Sequence, residues 1–258
     1  LYNASSGYYG MSATSMSALA QDANALAVLT GVVSQGSAAT VLANLAQRLA
    51  NPYGRLAFST DSGRTAVVSP FASDMEVRAR LASGDTRGAL SLIGTLWGNM
   101  IADGDHYTGA VWEALGADGL PVSAQTSLAH GWSSGPTAAL SRYVLGVRPV
   151  AAGFRQWLVK PQTGDLQWVV GTAPTPYGAL SVKWGRSTSG TFRMDVDVPS
   201  GTTGTIAIPA GGTVRINGVE TQTALSSALD PGSAASDGVA FQYVDNVGAG
   251  HYSIVVGG

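Results

Sequence analysis

The hydrophobic rhythm of the chain changes once, near residue 150. Upstream, apolar positions recur at the three-to-four-residue interval of a helix. In MSALAQDANALAVLTGVV, Met16, Leu19, Ala23, Leu26 and Thr30 share one face, which predicts a helix from Met16. After a break at Gly36, SAATVLANLAQRLAN reads as its hairpin partner. SPFASDMEVRARLASG opens with Ser69 as N-cap and Pro70 as first helical residue, and stops at Gly84. DTRGALSLIGTLWGNMIA starts on Asp85 and aligns Ala89, Ile93, Leu96, Trp97 and Met100. GPTAALSRYVLG forms the last predicted helix, closed by Gly146. Residues 103–134 show no sustained period, and a loop of that length in a compact domain is usually functional.

Beyond Pro149 the pattern becomes short alternating runs between Gly, Pro, Asn and Ser turns. RQWLVKP, LQWVVGTAPT, GALSVKWGR, TFRMDVDVP, GTIAIP, TVRINGVE, VAFQYV and HYSIVV read as strands of an antiparallel β-sandwich. The order of elements predicts an α+β multidomain chain, helical over residues 1–149 and β-sandwich over 150–258.

Composition narrows the chemistry. Apolar residues make up 45% of the 258 residues and charged ones 12%, with a net charge of −2. No apolar run approaches the ~20 residues that span a bilayer. The charge balance gives no basic footprint for nucleic acid and no polybasic membrane patch. Neutral polar ligands suit such a surface. The absence of cysteine excludes disulfides, thiolate catalysis and thiolate metal sites. No two histidines have zinc spacing, and no phosphate loop or Gly-x-Ser-x-Gly elbow occurs. No cofactor or metal is expected. In DGDHYTG, Asp103 and Asp105 do not sustain a calcium-loop spacing, so a plain turn is expected.

The long loop holds the candidate site. Glu113 is one of three glutamates and stands directly behind Trp112. A carboxylate against an indole is partly desolvated and a stronger base, and indole faces stack on sugar rings. Trp132 and Trp97 can form that wall, with Trp112 beside them. His130, in SLAHGW, can orient a ligand hydroxyl or act on a nearby carboxylate. His106 opens the loop. Asp74 and Glu76 stand two apart near a helix start, so one can face a site while the other pairs with Arg78 or Arg80. Trp112, Trp132, Trp97, His106, Asp74 and Glu76 are thus candidate substrate contacts around Glu113 and His130.

The ordered series QDANALAVL, SPFASDMEVRARLASGDTRGALSLIGTLWGNMI, GAVWEAL, SLAHGWSSGPTAALSRYVLGVRP and GFRQWLVKPQTGDLQWVVGTAPTPYGALSVKW resembles the C-terminal part of the α-L-rhamnosidases of glycoside hydrolase family 78. The likeness covers roughly residues 15–185. It implies the C-terminal half of an (α/α)6 barrel followed by an antiparallel β-sandwich, and release of terminal α-L-rhamnose with inversion. It implies Glu113 as general base, with His130 contacting the sugar or supporting the base. An inverting site needs its two carboxyls about 6.5–9.5 Å apart, so that water fits beneath the ring. The family's general acid stands in an upstream motif that this chain lacks, and five helices cannot close a ring of twelve. The resemblance therefore implies an N-terminal portion of the same enzyme as partner, a carbohydrate substrate, and a secreted or extracellular setting. HGWSSGPT departs from the family's more polar version and alters the rim of the sugar pocket.

Two other readings stay open. A polysaccharide lyase on the same fold, acting on rhamnose–uronate linkages, would use His106, His130, Tyr107 and Arg142 rather than Glu113. A non-catalytic carbohydrate-binding piece would stack sugars on Trp157, Trp168 and Trp184.

Overall fold

A computed structural model describes residues 1–102, 104, 106–230 and 235–257. The chain falls into two compact units, Leu1–Thr137 and Ala138–Gly258. The expected junction at residue 149 lies inside the second unit.

The first unit opens with a three-stranded sheet, β1 (Tyr2–Asn3), β2 (Tyr8–Ser12) and β3 (Ser15–Leu19). Residues 16–20 were expected to be helical, and tertiary pairing overrides that preference. β3 pairs with β2, Leu19 donates its N–H to Ser59 Oγ, and Ala20 bridges Phe58. Helix α1 (Gln21–Leu29) therefore starts at Gln21, and α2 (Gln35–Arg48) follows. The two pack through Ala27, Val33, Ala38 and Val41. Strands β4 (Ala50–Asn51) and β5 (Gly54–Arg55) form a tight hairpin, and β6 (Val67–Val68) leads into α3 (Pro70–Ala82). Helix α4 (Thr86–Ile101) follows at once.

The expected caps are present. Ser69 Oγ accepts from Ala72 N–H with Pro70 at the first position, and the Asp85 carboxylate accepts from Gly88 N–H. Each satisfies a helix-terminal donor. α3 lies between α1 and α4. Strand β7 (Leu115–Gly116) pairs with β6, which ties the long loop to the start of α3.

The predicted last helix is divided. α5 (Gly135–Ala139) is α-helical, and Leu140–Val144 widens to a π turn in which Leu145 N–H reaches Leu140 O.

The second unit begins its strands with β8 (Val147–Pro149) and β9 (Gln156–Val159). There follow β10 (Trp168–Thr175), β11 (Gly178–Arg186), β12 (Phe192–Val198), β13 (Thr203–Pro209), β14 (Val214–Ile216), β15 (Val219–Glu220), β16 (Phe241–Val247) and β17 (Gly250–Val256). One sheet runs β10-β11-β12-β17-β14-β15, the other β16-β13-β9-β8. All pairs are antiparallel except β9 with β13, giving a sandwich-like arrangement. β12 alternates buried and exposed positions along its length, as a half-buried strand should.

Of the proposed sugar-stacking tryptophans, two are core residues. Trp157 is buried and donates to Thr202 Oγ1, and Trp184 is buried and donates to Val144 O. Trp168 is exposed. No helix among the described residues is long and apolar enough to cross a membrane.

Candidate functional site

The long loop is held by its own backbone. His130 N–H donates to Val111 O at 2.9 Å and Glu113 N–H to Ser127 O at 2.8 Å, so residues 111–113 and 127–130 run side by side. Beneath them, Ser133 is fully buried; its hydroxyl donates to Trp112 O and its carbonyl accepts the Trp97 indole N–H at 2.6 Å. Trp112 N–H meets Met100 Sδ, and its indole N–H donates to Thr108 Oγ1.

This lattice explains why adjacent Trp112 and Glu113 behave differently. Trp112 is 2% exposed and Trp97 5%. Neither offers a ring face to a ligand, which corrects their expected stacking role: both anchor the loop. The Glu113 side chain instead keeps 35% of its surface. Its Oε2 accepts from Ser127 N–H at 3.2 Å and stands 3.9 Å from His130 Nδ1. The latter separation is beyond hydrogen-bond length, so the two side chains are neighbours without a direct hydrogen bond. Trp132 donates its indole N–H to Glu113 O at 3.0 Å and remains 47% exposed. The His130 and Trp132 rings lie 4.3 Å apart, and Phe71 tilts against Trp132 at 5.5 Å. The structure thus brings Glu113, His130 and Trp132 together, beside Phe71.

The remaining candidates stand elsewhere. Glu76 is fully buried; it accepts from Gln21 Nε2 and Arg80 Nε, with Arg55 Nε 3.7 Å away. A carboxylate saturated by two guanidiniums and an amide is a folding element, so its expected ligand contact is withdrawn. Asp74 pairs with Arg78 at 2.8 Å through Oδ2, while Oδ1 is buried with no hydrogen-bond partner among the described residues. Burial pushes the Asp74 carboxyl above the usual carboxylate range, against the pull of Arg78. Its carboxyl packs on Gly135, where any Cβ would collide with it. Asp74 therefore packs beneath the 131–135 turn.

His106 is exposed and lines a cleft of about 260 Å³ with Tyr107, Tyr53, Asn99 and Trp112, a lining that does not include Glu113. Asp103 and Asp105, the expected turn, lie outside the described residues. No group of three or more His, Asp or Glu among the described residues could hold a metal ion.

Sequence reasoning missed Ser127 and Phe71. Ser127 acts through its backbone, which carries no side-chain signal. Phe71 was visible as a large aromatic one position after the helix-starting Pro70.

A helical unit followed by sandwich-like sheets thus carries an accessible carboxylate among aromatic rings. Residues 146–223 match the family model of the bacterial alpha-L-rhamnosidase C-terminal domain. The fold is similar to that of the Streptomyces avermitilis alpha-L-rhamnosidase complexed with L-rhamnose, with a TM-score of 0.67 at 20% identity over 92% of this chain and 21% of that one. It is also similar to the alpha-L-rhamnosidase from Dictyoglumus thermophilum, at 0.70 and 18% over 93% of this chain and 26% of that one. The Aspergillus terreus enzyme gives 0.65 and 18% over 96% and 25% respectively. The chain thus spans between a fifth and about a quarter of these enzymes' length. No curated protein matches its sequence.

Proposed function

We propose that the chain is the C-terminal part of an inverting α-L-rhamnosidase, whose helical unit forms one side of an (α/α)6 barrel. Glu113 is the general base. The observation that carries this is its carboxylate: accessible, oriented by Ser127 N–H, and flanked by the His130–Trp132 ring pair. The L-rhamnose bound to the Streptomyces relative supports the substrate class.

In this reading Glu113 removes a proton from water as the water oxygen attacks the anomeric carbon. The glycosidic oxygen departs from the opposite face, protonated by a carboxylic acid about 6.5–9.5 Å from Glu113. That acid comes from polypeptide outside this chain, consistent with the share of the rhamnosidases it spans. His130 contacts a sugar hydroxyl next to the base, and the exposed Trp132 face packs on the apolar face of the ring.

The test uses the complete polypeptide containing this chain and an aryl α-L-rhamnoside. Glu113→Gln should lower kcat about 10²–10⁴-fold, and the sugar first released should have the opposite anomeric configuration by NMR. An unchanged kcat, a retained anomer, or an ultraviolet-absorbing unsaturated product in place of hydrolysis would overturn the assignment.

A further inference from the structure

The β-rich unit holds a cavity of about 210 Å³, of mixed polar and apolar lining, between the edge of β13, the bend in β16 and the 227–229 turn. We propose that it is a binding pocket for a single neutral sugar ring, centred on Asp245.

The backbone creates the site. Between β13 and β16 the register moves from Gly204↔Val247 to Ile206↔Val244, so β16 carries one residue more than its partner. Asn246 absorbs the bulge in a left-handed conformation, φ 58°, which asparagine tolerates better than most residues. Bulges re-aim side chains, and here Asp245 meets two hydroxyls buried beneath it. Thr205, fully buried, donates to Asp245 Oδ1 at 2.5 Å, and Ser227, 7% exposed, donates to the same oxygen at 2.6 Å. Ser227 Oγ in turn accepts from Leu229 N–H at 3.2 Å, which directs its own hydrogen to the carboxylate.

One carboxylate oxygen is therefore locked by the fold, and the other, Oδ2, has no protein partner among the described residues. Gln156, Thr203 and Asn246 line the same cavity, all three exposed, and their side chains carry two amides and a hydroxyl. A pre-oriented carboxylate accepts from hydroxyl donors, and amides both donate and accept. Together they match the vicinal hydroxyls of a sugar.

The alternatives fit less well. No cationic side chain lines the cavity, and Asp245 repels anions. A calcium ion takes six to eight oxygen ligands, whereas this cavity offers one carboxylate whose neighbouring hydroxyls are already spent on it. Clefts for larger ligands run roughly 300–1,000 Å³, so a cavity of about 210 Å³ takes one ring. Ala228 and Leu229 supply the small apolar patch that a ring's C–H face needs.

This inference is independent of Glu113 chemistry, and a chain with no hydrolytic activity would still bind. The intact chain, isotope-labelled, is titrated by NMR with L-rhamnose, D-galactose, D-glucose and D-mannose separately, then with calcium chloride. At least one sugar should shift the amide signals of Gln156, Thr203, Ser227 and Asn246 with millimolar saturation. Asp245→Ala should weaken that binding at least tenfold. Gln156→Ala, on an exposed strand end where folding is not at stake, should weaken it severalfold with the rest of the spectrum unchanged. The proposal is overturned if no sugar shifts these signals, if the shifts survive both substitutions, or if calcium alone produces them.

Discussion

At the residue scale, Glu76 and Glu113 show how environment divides identical carboxylates. Glu76 receives Gln21, Arg80 and the nearby Arg55 in a site with no exposed surface. Removing its charge takes the carboxylate from Arg55 and leaves buried Arg80 with the Asp85 carboxylate, and breaking such a buried pair costs about 3–5 kcal/mol. Glu76→Gln should lower stability by that order in urea unfolding, whereas Glu113→Gln, a third exposed, should leave the midpoint nearly unchanged while removing turnover. Asp74 allows a test by pH. Burial raises its folded-state pKa, so the native protein binds the proton more tightly than the unfolded chain. Its contribution is therefore most favourable at acid pH. It declines as pH rises through the unfolded-state pKa and then the higher folded-state one. Asp74→Asn should match the wild type below the usual carboxylate range and exceed it at neutral pH in thermal melts. The lost Arg78 contact is exposed on the arginine side and weighs little. A variant less stable than wild type at neutral pH would mean that the Arg78 pair outweighs the burial.

At the element scale, what could be read from sequence followed how local each signal was. α3 and α4 were legible to within a residue because Ser69, Pro70 and Asp85 cap them with their own side chains. The strands β9 to β13, β16 and β17 were legible because alternation and turn residues are local, whereas TVRINGVE, read as one strand, turns at Asn217 and Gly218 into the hairpin of β14 and β15. β3 was not: Met, Ala and Leu favour a helix, and only Ser59 and Phe58, about forty residues downstream, hold Ser15–Leu19 extended. Glu113, His130 and Trp132, grouped in sequence by their rare residue types, also lie together in the fold. Trp97, Trp112 and Glu76 are buried instead, since nothing local tells a buried partner from an exposed one. The Asp245 pocket was invisible, because it joins residues from 156 to 246 through a bulge. Packing sets a further test here. Gly204 on β13 lies directly against the Trp157 ring on β9, where a Cβ would clash with both ring and backbone. Gly204→Ala should destabilise the β-rich unit by about 1–3 kcal/mol through overpacking, seen as a lower urea midpoint and altered near-ultraviolet dichroism of the tryptophans.

At the scale of the molecule, the first unit carries more apolar surface than a finished helical domain would. Leu26, Val32, Phe71, Ile101, Leu120, Val122, Leu128 and Trp132 are all exposed by more than a third. Four full-length helices, α1 to α4, form this unit among the described residues, against the twelve of a six-hairpin ring. Under the proposed reading, some of these residues meet the rest of the barrel, which would cover them. The chain produced alone should bind a hydrophobic dye strongly and cleave no aryl rhamnoside. In the complete polypeptide, dye binding per molecule should fall severalfold and cleavage should appear. Substituting Val32 and Ile101 by serine, both far exposed and remote from Glu113 in sequence, should lower dye binding by the isolated chain without unfolding it. Should the isolated chain bind no dye and yet hydrolyse rhamnosides, the surface would belong to a finished domain, and the acid opposite Glu113 would have to be sought among its own aspartates.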